Sequence, residues 1–302
     1  MPRERFAVEI DGRDVELSNL DKVLFPQAGF TKGEVIDYYT RVAPVLLPHL
    51  ADRALTRIRY PNGVDAKFFF EKNAPGGTPE WVRLERLPVP GSTKDRETVD
   101  FVVVDDLPTL VWVANLASLE LHVPQWRIGA DPDLMVVDLD PGAPAGLTEC
   151  CGVAVLMRDR LAQDGVEAYP KTSGKKGMQL CCPISATQDA EVVSGYAKRI
   201  AEELSARVPG SITAKMAKAL RPGKVFIDWS QNNAAKTTVA PYSLRAQPSP
   251  TASTPLTWEE VEAFACGEEP ARQFGAAEVL ERIEVYGDLL SPLLDGGPAL
   301  PR

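Results

Sequence analysis

Histidine and cysteine are scarce in this chain of 302 residues, with two histidines, His49 and His122, and five cysteines. Four of the cysteines sit in adjacent pairs, Cys150-Cys151 and Cys181-Cys182, with Cys266 alone. Neighbouring thiols make poor staples and no C-x-x-C knuckle is present, so a disulfide framework and a zinc site of several His and Cys ligands are both excluded. Any metal would therefore be held by carboxylates. Long apolar runs are also missing: none approaches the ~18 residues that a membrane span needs, and the start MPRERFAVEI has no apolar signal core. A cytoplasmic protein is expected. Positive charge is in deficit, with 33 Lys and Arg against 42 Asp and Glu and a net charge of −9. On its face that balance argues against nucleic acid as a partner, unless cations are concentrated locally. Repeats and low-complexity blocks are absent.

What is present is the composition of an ordinary globular protein, 44% hydrophobic and 25% charged, long enough for one large or two small domains. RFAVEI and RDVEL around Asp11-Gly12 predict a hairpin. Thr31 with Glu34 forms a capping box ahead of Val35, Tyr38, Tyr39, Val42 and Leu46 at helical spacing. Strands are expected at 54–60, 66–70, 99–104, 134–140, 166–170, 178–183 and 224–230, and helices at 107–121, 148–164 and 188–207. Two short helices follow the Pro/Ser/Thr loop 247–255. Strands and helices mix without a regular βαβ period, so the expected class is α+β, with a central, partly antiparallel sheet flanked by helices. The end, DGGPALPR, is expected to fray.

The most informative segment is LMVVDLDPG. Its apolar run drives residues 134–137 into a sheet, and Asp138 and Asp140 follow at alternate positions. Side chains alternate along a strand, so both carboxylates face one way, about 6.6–7 Å apart. Pro141-Gly142 ends the strand and leaves them at a sheet rim. Like charges so placed invite a cation, and hard oxygen ligands suit Mg²⁺ or Mn²⁺. KVFID ends with Asp228 in the same manner. Three strand-borne aspartates make the pattern of a two-ion site, with the ions ~3.5–4 Å apart. An acidic strand end running into a turn is the plainer alternative, and the sequence does not place Asp228 beside the pair.

KTSGKKG (171–177) lies between two expected strands and is not a Walker A motif. Gly174 and Gly177 would let backbone N–H groups approach a phosphate, with Ser173 as donor and Lys175 and Lys176 as charges; a solvated turn fits the same residues. Lys215, Lys218, Arg221 and Lys224 form a second basic stretch, and Arg53, Arg57 and Arg59 a third. Phe68, Phe69 and Phe70 are consecutive, so a strand must aim Phe69 opposite to its neighbours, for core packing or for stacking on a base.

Taken together, LSNLDKVLFP, TKGEVIDYY, PNGV…FFFEKNAP, LELHVPQW, VVDLDPG, KTSGKKG, KVFIDWSQNN and KTTVAPYSLR resemble the polymerase domain of bacterial DNA ligase D. That family is the primase-polymerase of bacterial non-homologous end joining, within the archaeo-eukaryotic primase superfamily. The similarity runs from about residue 13 to about residue 290, many motifs in one order. It implies a single catalytic domain over 1–290, with 5′-phosphate and template contacts in about 1–130, the metal and nucleotide site in about 131–250, and a flexible tail at 291–302. It also implies a template-dependent nucleotidyltransferase that fills gaps or extends DNA ends, often with ribonucleotides, using two Mn²⁺ or Mg²⁺ ions. Carried over by motif, Asp138, Asp140 and Asp228 would hold the metals and do the chemistry. His122, Ser173, Lys176, Gln179, Gln231 and Arg245 would bind the nucleotide. Asn19, Lys22 and Lys32 would grip the 5′-phosphate of a downstream strand, at the positive end of a helix. Phe69 and Phe70 would pack on the template. DNA gaps or break ends and nucleoside triphosphates are the implied substrates, Ku and a separate ATP-dependent ligase the implied partners, and the nucleoid the implied location.

One departure stands out: the family usually has a histidine where this chain has Gln179. An amide can donate a hydrogen bond but cannot become a cation, so an altered rate or nucleotide preference is expected. The chain also carries no K-x-D-G adenylation motif and is expected to be a stand-alone polymerase or a piece of a longer protein. Two other readings compete: a catalytically weakened DNA-end scaffold, and a D-x-D glycosyltransferase, which would leave the lysines and aromatic cluster unexplained.

Overall fold

Hydrophobic alternation and turn chemistry act first at the N-terminus. Arg5–Ile10 and Arg13–Ser18 pair antiparallel, and the turn between them holds Asp11 and Gly12 at φ 48° and 73°, the left-handed pair that closes a two-residue hairpin. The computed structural model of the chain describes residues 5–89 and 97–301. The chain divides into two compact units. One comprises Met1–Pro124, Tyr242–Ala252 and Gly275–Gly287; the other comprises Gln125–Pro241, Ser253–Phe274 and Asp288–Arg302.

In the first unit the helix Lys32–Leu50 begins at the Thr31/Glu34 capping box and buries Val35, Tyr38, Tyr39, Val42 and Leu46, as its spacing predicts. Its tyrosines place neighbouring segments. Tyr39 Oη donates to Leu119 O and accepts from Leu244 N, while Tyr38 Oη donates to Tyr242 O, all within 2.7–3.1 Å. Ser243 Oγ accepts from Leu121 N at 2.9 Å. These bonds draw the strand Leu244–Ala246 to the strand Ser118–Val123. Residues 242–252, expected with the 131–250 part, thus belong with the N-terminal unit. Ser118–Val123 pairs with Thr56–Arg59, which pairs in turn with Phe69–Glu71.

The helix expected at 107–121 stops early. Leu107–Asn115 is helical; Ala117 then turns at φ 58° and the chain returns as a strand. The apolar run LVWVANLASLELHV carries no glycine or proline to mark the reversal, and the side chain of Asn115 ends the helix by bonding Ser18 N and Glu16 O. The consequence is that a strand rather than a helix sets the facing of Glu120 and His122.

In the second unit five strands run in the order Tyr169–Thr172, Met178–Pro183, Leu134–Pro141, Val225–Asp228 and Ile212–Thr213. All neighbours are antiparallel except the last pair. Met135, Val136, Val137 and Leu139 are buried on both faces of the central strand, which explains its continuous apolar run. Asn232 clamps this strand: its Oδ1 accepts from Val136 N and its Nδ2 donates to Val136 O, both at 2.8 Å. Cys150, Cys151, Cys181 and Cys182 are buried thiols outside any disulfide, and burial pushes the Cys151 thiol up to about 12, so these thiols are packing groups. The segment expected as a flexible tail is instead packed. Leu290 and Leu293 join a cluster with Val136 and Cys181, Leu300 is 3% exposed, and Ser185 N donates to Pro298 O. Its leucines bury apolar area that outweighs the freedom of the intervening glycines.

Candidate active site

The central antiparallel sheet brings the three aspartates together. Asp138 pairs directly with Asp228 on one side and with Gln179 on the other. Directly opposed residues of an antiparallel pair share a face, and Asp140 lies two residues along on that same face. Asp138 is 8% exposed. Its carboxyl is pushed up to about 7, first by burial and then by the charge of Asp140, with Asp228 adding to the effect. Burial and Asp228 likewise raise Asp140, opposed by Arg221. Asp138 and Asp140, buried and beside a like charge, form a site whose charge a divalent cation would relieve.

Asp228 is held by its own turn. Its Oδ1 accepts from Ser230 N at 3.0 Å and from Ser230 Oγ, and its Oδ2 from Gln231 Nε2 at 3.3 Å. Lys236 Nζ lies 3.7 Å from Oδ2. Among the described residues no three His, Cys, Asp or Glu side chains already converge on one point. The donor chemistry nevertheless fits a hard cation: oxygen ligands only, with like charges adjacent.

Gln179 joins Asp138 to a buried cation. Its Nε2 donates to Asp138 Oδ1 at 2.9 Å, and its Oε1 accepts from Lys171 Nζ at 2.5 Å. Lys171 also donates to Ser253 Oγ at 2.7 Å and Val239 O at 3.1 Å. A lysine can only donate, so the amide is oriented with its N–H toward the carboxylate. The positive charge that a histidine at 179 could carry stands one side chain further back. Sequence reasoning passed over Lys171, although it opens KTSGKKG.

Between Lys171 and Gln179 the loop turns at Gly174, φ 71°. Ser173 N donates to Gly177 O and Ser173 Oγ accepts from Lys175 N, at 3.0 and 3.3 Å. Gly177 lies against the carbonyl of Leu139, where a Cβ would overlap it. Lys176 is exposed and Ser173 half-buried.

In the first unit, Glu120 and His122 share a strand face, and Arg245 comes to them from Leu244–Ala246. Asn19, Lys22 and Lys32 also gather in this unit. Lys32 N donates to Lys22 O at 2.8 Å, and Lys22 N to Asn19 O at 3.1 Å, which seats the Asn19–Lys22 turn on the helix start. Lys32 Nζ donates to Ser18 O. Burial, then Lys22 and Arg59, bring the Lys32 amine down to about 8. Phe68, Phe69 and Phe70 are 53%, 42% and 51% exposed. The expected core face is missing because the strand is only three residues long at the edge of its sheet, and Phe68 precedes it, against Tyr60.

The five-stranded sheet, antiparallel but for its last pair, carries paired aspartates beside a glycine-turned lysine loop, and its α+β class is that of the archaeo-eukaryotic primase fold by likeness to a solved structure. A structural match makes this concrete: the polymerase domain from Mycobacterium tuberculosis ligase D in complex with DNA superposes with a TM-score of 0.86 at 40% identity, covering 93% of this chain and 98% of that one. The family model for the LigD primase-polymerase domain matches residues 31–290, and the chain belongs to that family. Similar curated proteins include the multifunctional non-homologous end joining protein LigD of Mycolicibacterium smegmatis, 45% identical over 92% of this chain and 36% of that protein. The Mycobacterium bovis counterpart is 42% identical over 95% and 38%, and the bifunctional LigD of Bacillus subtilis 34% over 90% and 43%. The chain thus spans about a third to two-fifths of their length. Among the described residues no helix is long and apolar enough to cross a membrane.

Proposed function

We infer that this chain is a template-dependent nucleotidyltransferase that fills gaps and extends DNA ends in non-homologous end joining or gap repair, with ribonucleotides among its substrates. The observation that carries this reading is the direct opposition of Asp138 and Asp228 across the sheet, with Asp140 on the same face, in a chain of the LigD primase-polymerase family. The DNA in the M. tuberculosis structure supports the substrate class.

Asp138, Asp140 and Asp228 would hold Mn²⁺ or Mg²⁺, which when bound would activate the attacking oxygen and steady the leaving phosphate. The chain's own part is positioning. Gln179 fixes the Asp138 carboxylate and Ser230 and Gln231 fix Asp228; Ser173, Lys176 and Gln231 of the second unit would align the triphosphate, and His122 and Arg245 of the first unit are each read as nucleotide-binding. Phe69 and Phe70 would stack on the template, and Asn19, Lys22 and Lys32 would hold a downstream 5′-phosphate. Ku for bridging and a ligase activity for sealing are what such a reaction needs.

Incubation with a gapped duplex, Mn²⁺ and labelled ribonucleotide is expected to extend the primer by template-directed addition. Absence of extension, with the duplex still bound, would favour the scaffold reading. Transfer from a nucleotide-sugar without DNA would favour a glycosyltransferase.

The Lys32 amine makes a second expectation. It is charged below about 8 and loses its proton as the pH rises through that value. The preference for a 5′-phosphorylated over an unphosphorylated gap should therefore be largest near neutrality and fall by ~10-fold toward pH 9.5 as one charge-assisted contact is lost. A bound phosphate shifts the midpoint upward, since an anion favours the ammonium form. Lys22→Ala should reduce the same preference without altering binding to the unphosphorylated gap. Equal losses on both duplexes would remove these lysines from phosphate recognition.

A further inference from the structure

We propose that Glu120 is a positioning residue for the incoming nucleotide, holding His122 and Arg245 in one frame; the proposal rests on the reading of those two residues as nucleotide-binding. Glu120 lies two residues before His122 on the strand Ser118–Val123 and is 0% exposed. Its Oε2 is 3.0 Å from His122 Nε2 and 3.4 Å from Arg245 Nε, and its Oε1 accepts from Ala246 N at 3.1 Å. One carboxylate thus ties two side chains and a backbone amide from two strands that are not neighbours in sequence.

The placement is hard to explain by stability alone. A fully buried carboxylate loses its hydration, and near a site for a triphosphate it adds repulsion to the substrate. That penalty is offset where the carboxylate serves His122 and Arg245. Nε2 of His122 is committed to Glu120, which fixes the ring in its plane, as second-layer carboxylates do for ligating histidines. Arg245 presents a planar fork whose direction matters for a phosphate; its Nε is buried 3.4 Å from Glu120 Oε2 without a hydrogen bond, an ion-pair contact that draws the guanidinium toward that carboxylate. Tyr60, whose hydroxyl is pushed up to about 12 by burial and by Glu120, closes the cluster without offering a competing charge.

The test is a thermodynamic cycle on nucleotide affinity, read with α,β-methylene ATP and Mn²⁺ on a gapped duplex carrying a 5′-phosphate. Glu120→Gln keeps the shape and the bond from Ala246 N, but turns an amide N–H toward two donors. It is expected to weaken the triphosphate ~10-fold, the scale of a lost charge-assisted bond, while duplex affinity stays as in the parent. In the His122→Ala background the same change should have a smaller effect, because one of its two targets is already gone and only Arg245 remains. Glu120→Asp, which keeps the charge but withdraws the oxygens, should show the same selective loss and serves where the glutamine variant folds poorly. An unchanged triphosphate affinity in both Glu120 variants, or full additivity with both His122→Ala and Arg245→Ala, would overturn the positioning role. If His122→Ala itself leaves triphosphate binding intact, the nucleotide-site reading falls along with it.

Discussion

Asp138→Asn is expected to lower primer extension by ~10³-fold or more, since a carboxylate proposed to hold the reacting ions would contribute several kcal/mol to the transition state. The metal-free variant should nevertheless be as stable as the parent or more so. The Asp138 carboxyl is pushed up to about 7 by burial and by Asp140, so its charge is a liability in the absence of a cation. Asparagine is neutral, nearly isosteric, and can still accept from Gln179 Nε2 at Oδ1. The sign follows from linkage. A carboxyl whose folded-state affinity for protons exceeds that of the unfolded chain makes stability fall as the pH rises from about 4 to about 7. With a chelator present, the parent should show this fall and the variant should show less of it. Millimolar Mn²⁺ should raise the melting temperature of the parent more than that of the variant, because only binding to the folded state stabilises. Denaturation with and without chelator, beside the extension assay, checks each part. Parental extension by the variant would remove the carboxylates from the chemistry.

The second large effect comes from a residue with no side chain. At Gly177 a Cβ would overlap the Leu139 carbonyl and press on the Pro141 ring. Neither neighbour is the tip of a flexible side chain, so Gly177→Ala must push the loop away from the strand segment that carries Asp138 and Asp140. The expected loss is about 3 kcal/mol of stability, with extension reduced further than stability alone explains. Gly152→Ala is the control: it lies within the helix Leu147–Gln163 with nothing near its Cβ, and should be stabilising by about 0.5–1 kcal/mol. Urea titrations of the two variants should move in opposite directions. Coincident curves for Gly177→Ala and the parent would show that the loop does not depend on this close approach.

These two residues also mark how far a sequence can be read. The facing of Asp138 and Asp140 follows from the two-residue period of a strand and needs no partner. Likewise the capping box at Thr31/Glu34 and the hairpin at Asp11-Gly12 are local, and local signals were legible. Asp228 is different. It lies 88 residues after Asp140, and only the antiparallel register sets it opposite Asp138. Phe70 was legible as an aromatic but not as an exposed one, because exposure depends on its strand ending a sheet. The stretch 107–121 misled because a positive-φ alanine reverses the chain without any turn residue to announce it; the alternation in LELHV was the signal that could have separated strand from helix. Lys171 and Glu120 were hidden for a related reason, since each acts through neighbours supplied by other strands.

What the sequence determined by itself was the set of chemical groups: hard carboxylates in place of thiols and imidazoles, and lysines placed in short loops. Their spacing along single strands and helix starts was determined too, because backbone periodicity is a local property. Which groups meet was decided only by the tertiary structure. Long-range register and burial set the distances, and at a few ångströms of low-dielectric separation those distances decide whether neighbouring charges repel, pair, or call for a cation.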